Sequence, residues 1–115
     1  EGVACGLLDG VEALATAGVT LNGRTFLIGG GAKSTAYGRV VADLARRSLV
    51  VADDDETVAT GAAVQAGVVA GQGTFAEIAK RWDLGRGSLV EPDESVAGEA
   101  EETLYRYRAI RDLTG

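Results

Sequence analysis

The chain has 115 residues, 46% of them apolar and 24% charged, which describes one globular domain rather than a disordered segment. Its net charge of −6 speaks against a nucleic-acid partner or an anionic membrane surface, since either needs a positive footprint. No stretch reaches the roughly 18 to 20 apolar residues of a membrane span.

The chain carries no methionine and opens on EGVACGLL, already in helical register, so it is expected to be a piece of a longer protein. No signal sequence is recognisable. The single cysteine, Cys5, cannot form an internal disulfide and suits a reducing compartment, so a cytoplasmic location is expected. Cys5 reads as a small buried hydrophobe on an apolar helical face.

Val3, Leu7, Val11 and Leu14 recur at helical spacing, so residues 2–17 read as an amphipathic helix buried by that stripe and ended by Gly18. RTFLI, residues 24–28, reads as a buried strand, and Gly29, Gly30 and Gly31 follow it. Ser34 then caps a helix running to about Arg47, with Tyr37, Val40, Val41 and Leu44 on one face. SLVVA is a second strand, and the acidic turn DDDE, residues 53–56, opens a third helix over 56–70. Strand, helix and strand in that order make a βαβ unit, expected to be parallel. A shorter helix, TFAEIAKRW, comes next, followed by an extended link, GRGSLVEPD. A last helix spans about Ser95 to Leu113 and buries Val96, Ala100, Leu104 and Tyr107.

The glycine triplet raises the functional question. Without a Cβ these residues can turn at positive φ and let a ligand touch the main chain. The helix that follows offers unpaired N–H groups and a partial positive charge, which suits an anion. A tight strand-to-helix turn without any ligand is the competing explanation. The P-loop spacing fails twice, because Leu27 stands at its first glycine and Ala32 precedes Lys33. The dinucleotide pattern G-x-G-x-x-G fits Gly29 and Gly31 but meets Ser34 at its third glycine. Asp53 follows the second strand near the spacing of a ribose contact, so a dinucleotide-binding oxidoreductase domain of Rossmann type stays open.

DDDE could hold a hard cation, but acidic residues in the first turn of a helix also cap it and oppose its dipole. Gly61, Ala62, Ala63 and Ala66 leave one flank of the third helix nearly bare, and the glycine loop is its expected neighbour. Trp82, Tyr105 and Tyr107 read as core or interface rather than ligand-stacking residues. Histidine is absent, and no residue makes a convincing nucleophile or general base. Binding is therefore expected of this stretch, not catalysis by its own side chains.

The combination of LIGGGAKSTAYGRVVADL with VVADDDETVATGAAVQAG resembles the C-terminal ATP-binding region of the FGGY carbohydrate kinases, and within them the xylulokinases. EGVACGLLDGVEAL is similar to the helix before that family's adenosine motif, and YRYRAI to its closing helix. The resemblance implies an α/β fold that is part of an actin-like ATPase (ribonuclease H-like) lobe, with a short sheet containing the βαβ unit and packed by helices. Residues 1–115 would form a single domain, the C-terminal nucleotide-binding portion of a longer two-lobed sugar kinase. The implied reaction moves the γ-phosphoryl group of ATP to a sugar hydroxyl, for xylulokinases the 5-hydroxyl of D-xylulose.

Carried over by position, Gly29, Gly30, Gly31 and Ala32 would lie along the nucleotide, with Lys33, Ser34 and Thr35 at the rim and the helix start. Gly61, Ala62 and Ala63 would support the loop from behind. ATP with Mg would be the cofactor, its metal ligands lying outside this chain together with the catalytic base and the sugar pocket. ATP or ADP and a sugar are the implied partners, and self-association into a homo-oligomer is a further expectation. A non-catalytic regulatory module derived from such a kinase is the remaining alternative.

Overall fold

The computed structural model describes residues 1–114. Three short strands form its sheet in the order β1 (Thr25–Leu27), β2 (Leu49–Ala52), β3 (Gly87–Val90). β1 and β2 are parallel, with Phe26 opposite Val50, and β2 and β3 are antiparallel, with Leu49 opposite Val90. The βαβ unit is therefore present as expected, with α2 (Thr35–Ala45) as its crossover. The segment read as an extended link is different. Part of it becomes β3 and adds an antiparallel edge.

Side chains alternate across these strands. Leu27, Leu49, Val51 and Val90 share one face, and α2 lies over it. A Cβ added to Gly38 of α2 would touch Val51, Leu27 and Val90, one residue from each strand. The core continues from that face into two further helices, α1 (Gly2–Thr16) and α5 (Ala97–Thr114). Ala4 and Cys5 of α1 join Val41, Ala42 and Leu44 of α2, Leu49 of β2 and Ala100 of α5 in one buried cluster. Leu8, Leu104 and Tyr107 pack against its rim. Removing a side chain such as Leu44 or Leu49 from water contributes about 1.5–3 kcal/mol each. Cys5 is buried as the sequence suggests, and the buried side of the last helix holds at Ala100, Leu104 and Tyr107.

The stripe predicted to bury α1 does not. Val3, Leu7, Val11 and Leu14 are between 40% and 77% exposed. α1 instead packs through Ala4, Cys5 and Leu8, because small side chains at 4 and 5 let α2 come close. Ion pairs hold the outer part of α1 to α5, with Asp9 Oδ2 at 2.8 Å from Arg111 Nη1 and Glu12 Oε2 at 2.6 Å from Arg108 Nη2. Tyr105 is exposed and Trp82 partly so at 41%, while Tyr107 packs against the core.

α3 (Thr57–Val69) and α4 (Phe75–Arg81) form a separate pair. Their contact is built from Gly67 and Ile78: a Cβ on Gly67 would stand 3.0 Å from Ile78 Cδ1, and Ile78 is fully buried. The tight turn before α4 uses Gly71 and Gly73 at positive φ. Thr74 and Glu77 then close a capping box, each accepting the other's backbone N–H. The molecule extends 53 × 30 × 22 Å, with a radius of gyration of 17.0 Å against about 13 Å for a compact chain of this length. The far face of the sheet, with Phe26, Val50 and Leu89 in one row, carries no helix of the core and leaves Phe26 and Leu89 exposed. Among the described residues no helix is long and apolar enough to cross a membrane.

Candidate functional site

The glycine loop stands at the carboxyl end of β1, where open α/β sheets place their ligands. It is built in three steps. Gly29 turns the chain at φ 90°, ψ −180°, a backbone that side chains other than glycine adopt only with strain. Gly30–Lys33 then wind into a 3-10 turn, in which the Ala32 amide donates to the Gly29 carbonyl and the Ser34 amide to the Gly31 carbonyl. Ser34 returns to extended backbone, and its Oγ accepts the Tyr37 N–H at 3.2 Å. That cap satisfies one of the amides a helix leaves unpaired at its start, as the sequence predicts for Ser34.

The three glycines differ in what they are for. Only Gly29 uses positive φ. A Cβ on Gly30 would meet nothing within 4 Å, so its main chain is open to a ligand. A Cβ on Gly31 would stand 3.3 Å from Tyr37 Cε1, so Gly31 is needed for the loop to lie against the Tyr37 ring. The main chain is bare at Gly30, whereas Gly31 lies against the Tyr37 ring.

Two recesses adjoin the loop and share Ile28, Ala52 and Asp54. One is a cavity of about 100 Å³ bounded by Gly29, Ala32, Lys33, Val51 and Asp55. This is well below the ~300 Å³ at which ligand pockets begin. The other is a cleft of about 530 Å³ bounded by Phe26, Asp53, Thr60, Gly61 and Leu84, within the range of small-molecule sites. Thr35 belongs to a third recess of about 580 Å³ between α2 and β3, beside Arg39, Asp43 and Asp93. The structure thus brings Gly29, Ala32 and Lys33 together around one void, while Gly30, Gly31 and Ser34 border none of these recesses.

The acidic turn DDDE acts as local structure, though not as the expected helix cap: α3 has no side-chain cap and no acidic residue in its first turn. Asp54 Oδ1 accepts the Glu56 N–H at 2.9 Å. A hydrogen bond from the Thr60 side chain, and then the Glu56 amide, hold the Asp54 carboxyl below the usual carboxylate range. Asp55 reaches back to the glycine loop, its Oδ2 lying 3.0 Å from Lys33 Nζ. Sequence reasoning missed Asp55. The signal lay in its position just past β2, since loops following adjacent parallel strands meet at the same end of the sheet. No group of three or more metal-ligating side chains occurs among the described residues.

One expected support is corrected. Gly61, Ala62 and Ala63 do not back the glycine loop. They are exposed, and a Cβ on Gly61 would touch nothing, because the close approach of α3 is made to α4 through Gly67. Gly61 borders the 530 Å³ cleft instead. Asp53 borders the same cleft, where a ribose contact was considered, but the antiparallel β3 departs from the parallel run of a Rossmann sheet.

Residues 1–70 match the C-terminal domain of the FGGY family of carbohydrate kinases, a span that includes β1, the glycine loop, α2, β2 and all of α3. The xylulose kinase of Streptomyces rubiginosus is 40% identical over 85 residues, covering 73% of this chain and 17% of that protein. The xylulose kinase of Streptomyces coelicolor is 34% identical over 111 residues, covering 96% of this chain and 22% of that protein. The chain spans about a fifth of the length of these curated relatives. No solved structure matches it. With a matching domain over more than half its length, and relatives that extend the likeness through α5, this chain belongs to the FGGY family of carbohydrate kinases.

Proposed function

We propose that this chain is the nucleotide-binding portion of a longer, two-lobed sugar kinase whose lobes have the actin-like (ribonuclease H-like) fold. ATP with Mg supplies the γ-phosphoryl group, and the acceptor is a sugar hydroxyl, that of D-xylulose being favoured by the names of the two relatives. The observation that carries the reading is Gly30. Its main chain is open, at the carboxyl end of a parallel strand and one turn ahead of a capped helix.

Gly29, Gly30, Gly31 and Ala32 lie along the nucleotide in this reading, and Lys33, Ser34 and Thr35 form the rim. Phosphates approach from the Gly30 side, because Asp53 and Asp54 repel an anion from the other. The chain's own task is positioning. It holds backbone donors rigidly where the nucleotide lies, which is most of what phosphoryl transfer asks of a protein. The general base and the sugar pocket belong to the remainder of the enzyme, so the 115-residue chain alone has no turnover and binds nucleotide weakly. Two features support a larger whole: the uncovered apolar residues of α1 and of the far sheet face, and the small share of the relatives that the chain spans.

The test is Gly30→Val in the full-length kinase. Its φ is ordinary and a Cβ there meets nothing within 4 Å, so the added side chain starts in open space where a ligand would approach. The KM for ATP rises at least tenfold while the KM for the sugar stays near that of the native enzyme. A selective rise in the sugar KM would place the loop at a different substrate. Gly31→Val also raises the ATP KM, but it presses on Tyr37 and so mixes two effects.

A further inference from the structure

We infer that Asp55 is a positioning residue for the glycine loop, holding it against the β2–α3 corner through Lys33; the inference rests on the nucleotide reading of that loop. The polar contacts within the loop are local. Gly29 accepts from Ala32, Gly31 from Ser34, and Ser34 from Tyr37, all within residues 29–37. Such bonds fix the shape of a turn, but not where the turn sits relative to the next strand.

Among the described residues, the polar contact that leaves this local set is the Lys33 Nζ to Asp55 Oδ2 pair at 3.0 Å. It joins the last residue of the 3-10 turn to the corner after β2, across the void of about 100 Å³. The corner is itself anchored: Asp54 accepts the Glu56 N–H immediately before α3 begins. That bond fixes the backbone on either side of Asp55, and so the place from which its side chain reaches Lys33.

The pair is exposed, at 63% and 67% for the two side chains. Exposed pairs add little to global stability and are weakened by salt. Its loss is therefore read in where the loop lies, which a nucleotide senses, and not in the melting temperature. Lys33 is also neutralised by Asp55, so its role in this account is to place Gly30, not to bind a phosphate directly.

The experiment uses the full-length kinase with Asp55→Asn, Lys33→Met, the double variant and Asp55→Glu, with Gly30→Val measured alongside. Asp55→Asn and Lys33→Met each raise the ATP KM about two- to fivefold, with the sugar KM and melting temperature unchanged. The double variant is no worse than either single one, and Asp55→Glu, which still reaches Lys33, stays near native. Raising the salt increases the ATP KM of the native enzyme more than that of Asp55→Asn. An Asp55→Asn enzyme whose ATP KM is unchanged or lower overturns the inference, as does a double variant whose defect is the product of the two. The nucleotide reading fails separately. If Gly30→Val leaves the ATP KM unchanged, both are wrong, whereas a Gly30→Val defect beside a silent Asp55→Asn removes only the brace.

Discussion

Gly87 opens β3 directly opposite Ala52, and the neighbouring strand leaves no space for a side chain there. A Cβ at that position would lie 2.2 Å from the Val51 carbonyl oxygen and 2.7 Å from Val50 Cγ1. Ordinary contacts begin near 3.4 Å, and the oxygen belongs to backbone that cannot rotate away. Gly87→Ala therefore forces β3 outward by the better part of an ångström or bends the end of β2. Overpacking of this kind costs about 1–3 kcal/mol, which for a domain of this size lowers Tm by about 4 to 15 °C. Circular dichroism melts of the purified protein read the shift. Gly98→Ala is the control, since a Cβ there meets nothing and alanine favours the helix by up to about 1 kcal/mol. If Gly87→Ala melts with the native protein, β3 does not pair with β2 in this register, and the corner carrying Asp53–Asp55 loses the strand that supports it.

Ile78→Ala empties the contact that holds α4 to α3; because the side chain is fully buried, urea unfolding shows a loss of about 2–5 kcal/mol. The capping box of α4 gives a pH dependence: hydrogen bonds from the Thr74 amide and then its hydroxyl hold the Glu77 carboxyl below the ordinary range. The stabilisation is complete above the unfolded pKa of about 4.3 and is lost as pH falls through the lower folded value. Melting temperatures of the native protein consequently fall more steeply below about pH 4 than those of Glu77→Gln.

The parts legible in the sequence are those set by local chemistry. Ser34 has the side chain and position of a helix cap, and the glycines bracket it from the strand side, so the strand–turn–helix of the site follows from residues 25–45. Parallel pairing of β1 with β2 follows from the length of the intervening crossover. The apolar face of α1 was not legible. Val3, Ala4, Cys5, Leu7 and Leu8 are all apolar, and periodicity cannot choose among them when close packing by Ala4 and Cys5 decides the contact face. β3 was missed because GSLV has few strand formers and is fixed by its partner β2. The small residues of α3 read as its close-approach flank, Gly61, Ala62, Ala63 and Ala66, are exposed, and the approach happens at Gly67 instead. The ion pair between Lys33 and Asp55 spans 22 positions and needs the fold before it can be seen.

Amide hydrogen exchange of the full-length kinase, with and without ATP and Mg, addresses the glycine loop most directly. Exchange in the peptide spanning residues 28–37 slows when ATP is added, with little change in β3 at residues 87–90. Protection confined to other segments, with residues 28–37 exchanging as in the free enzyme, would contradict the nucleotide reading of the loop.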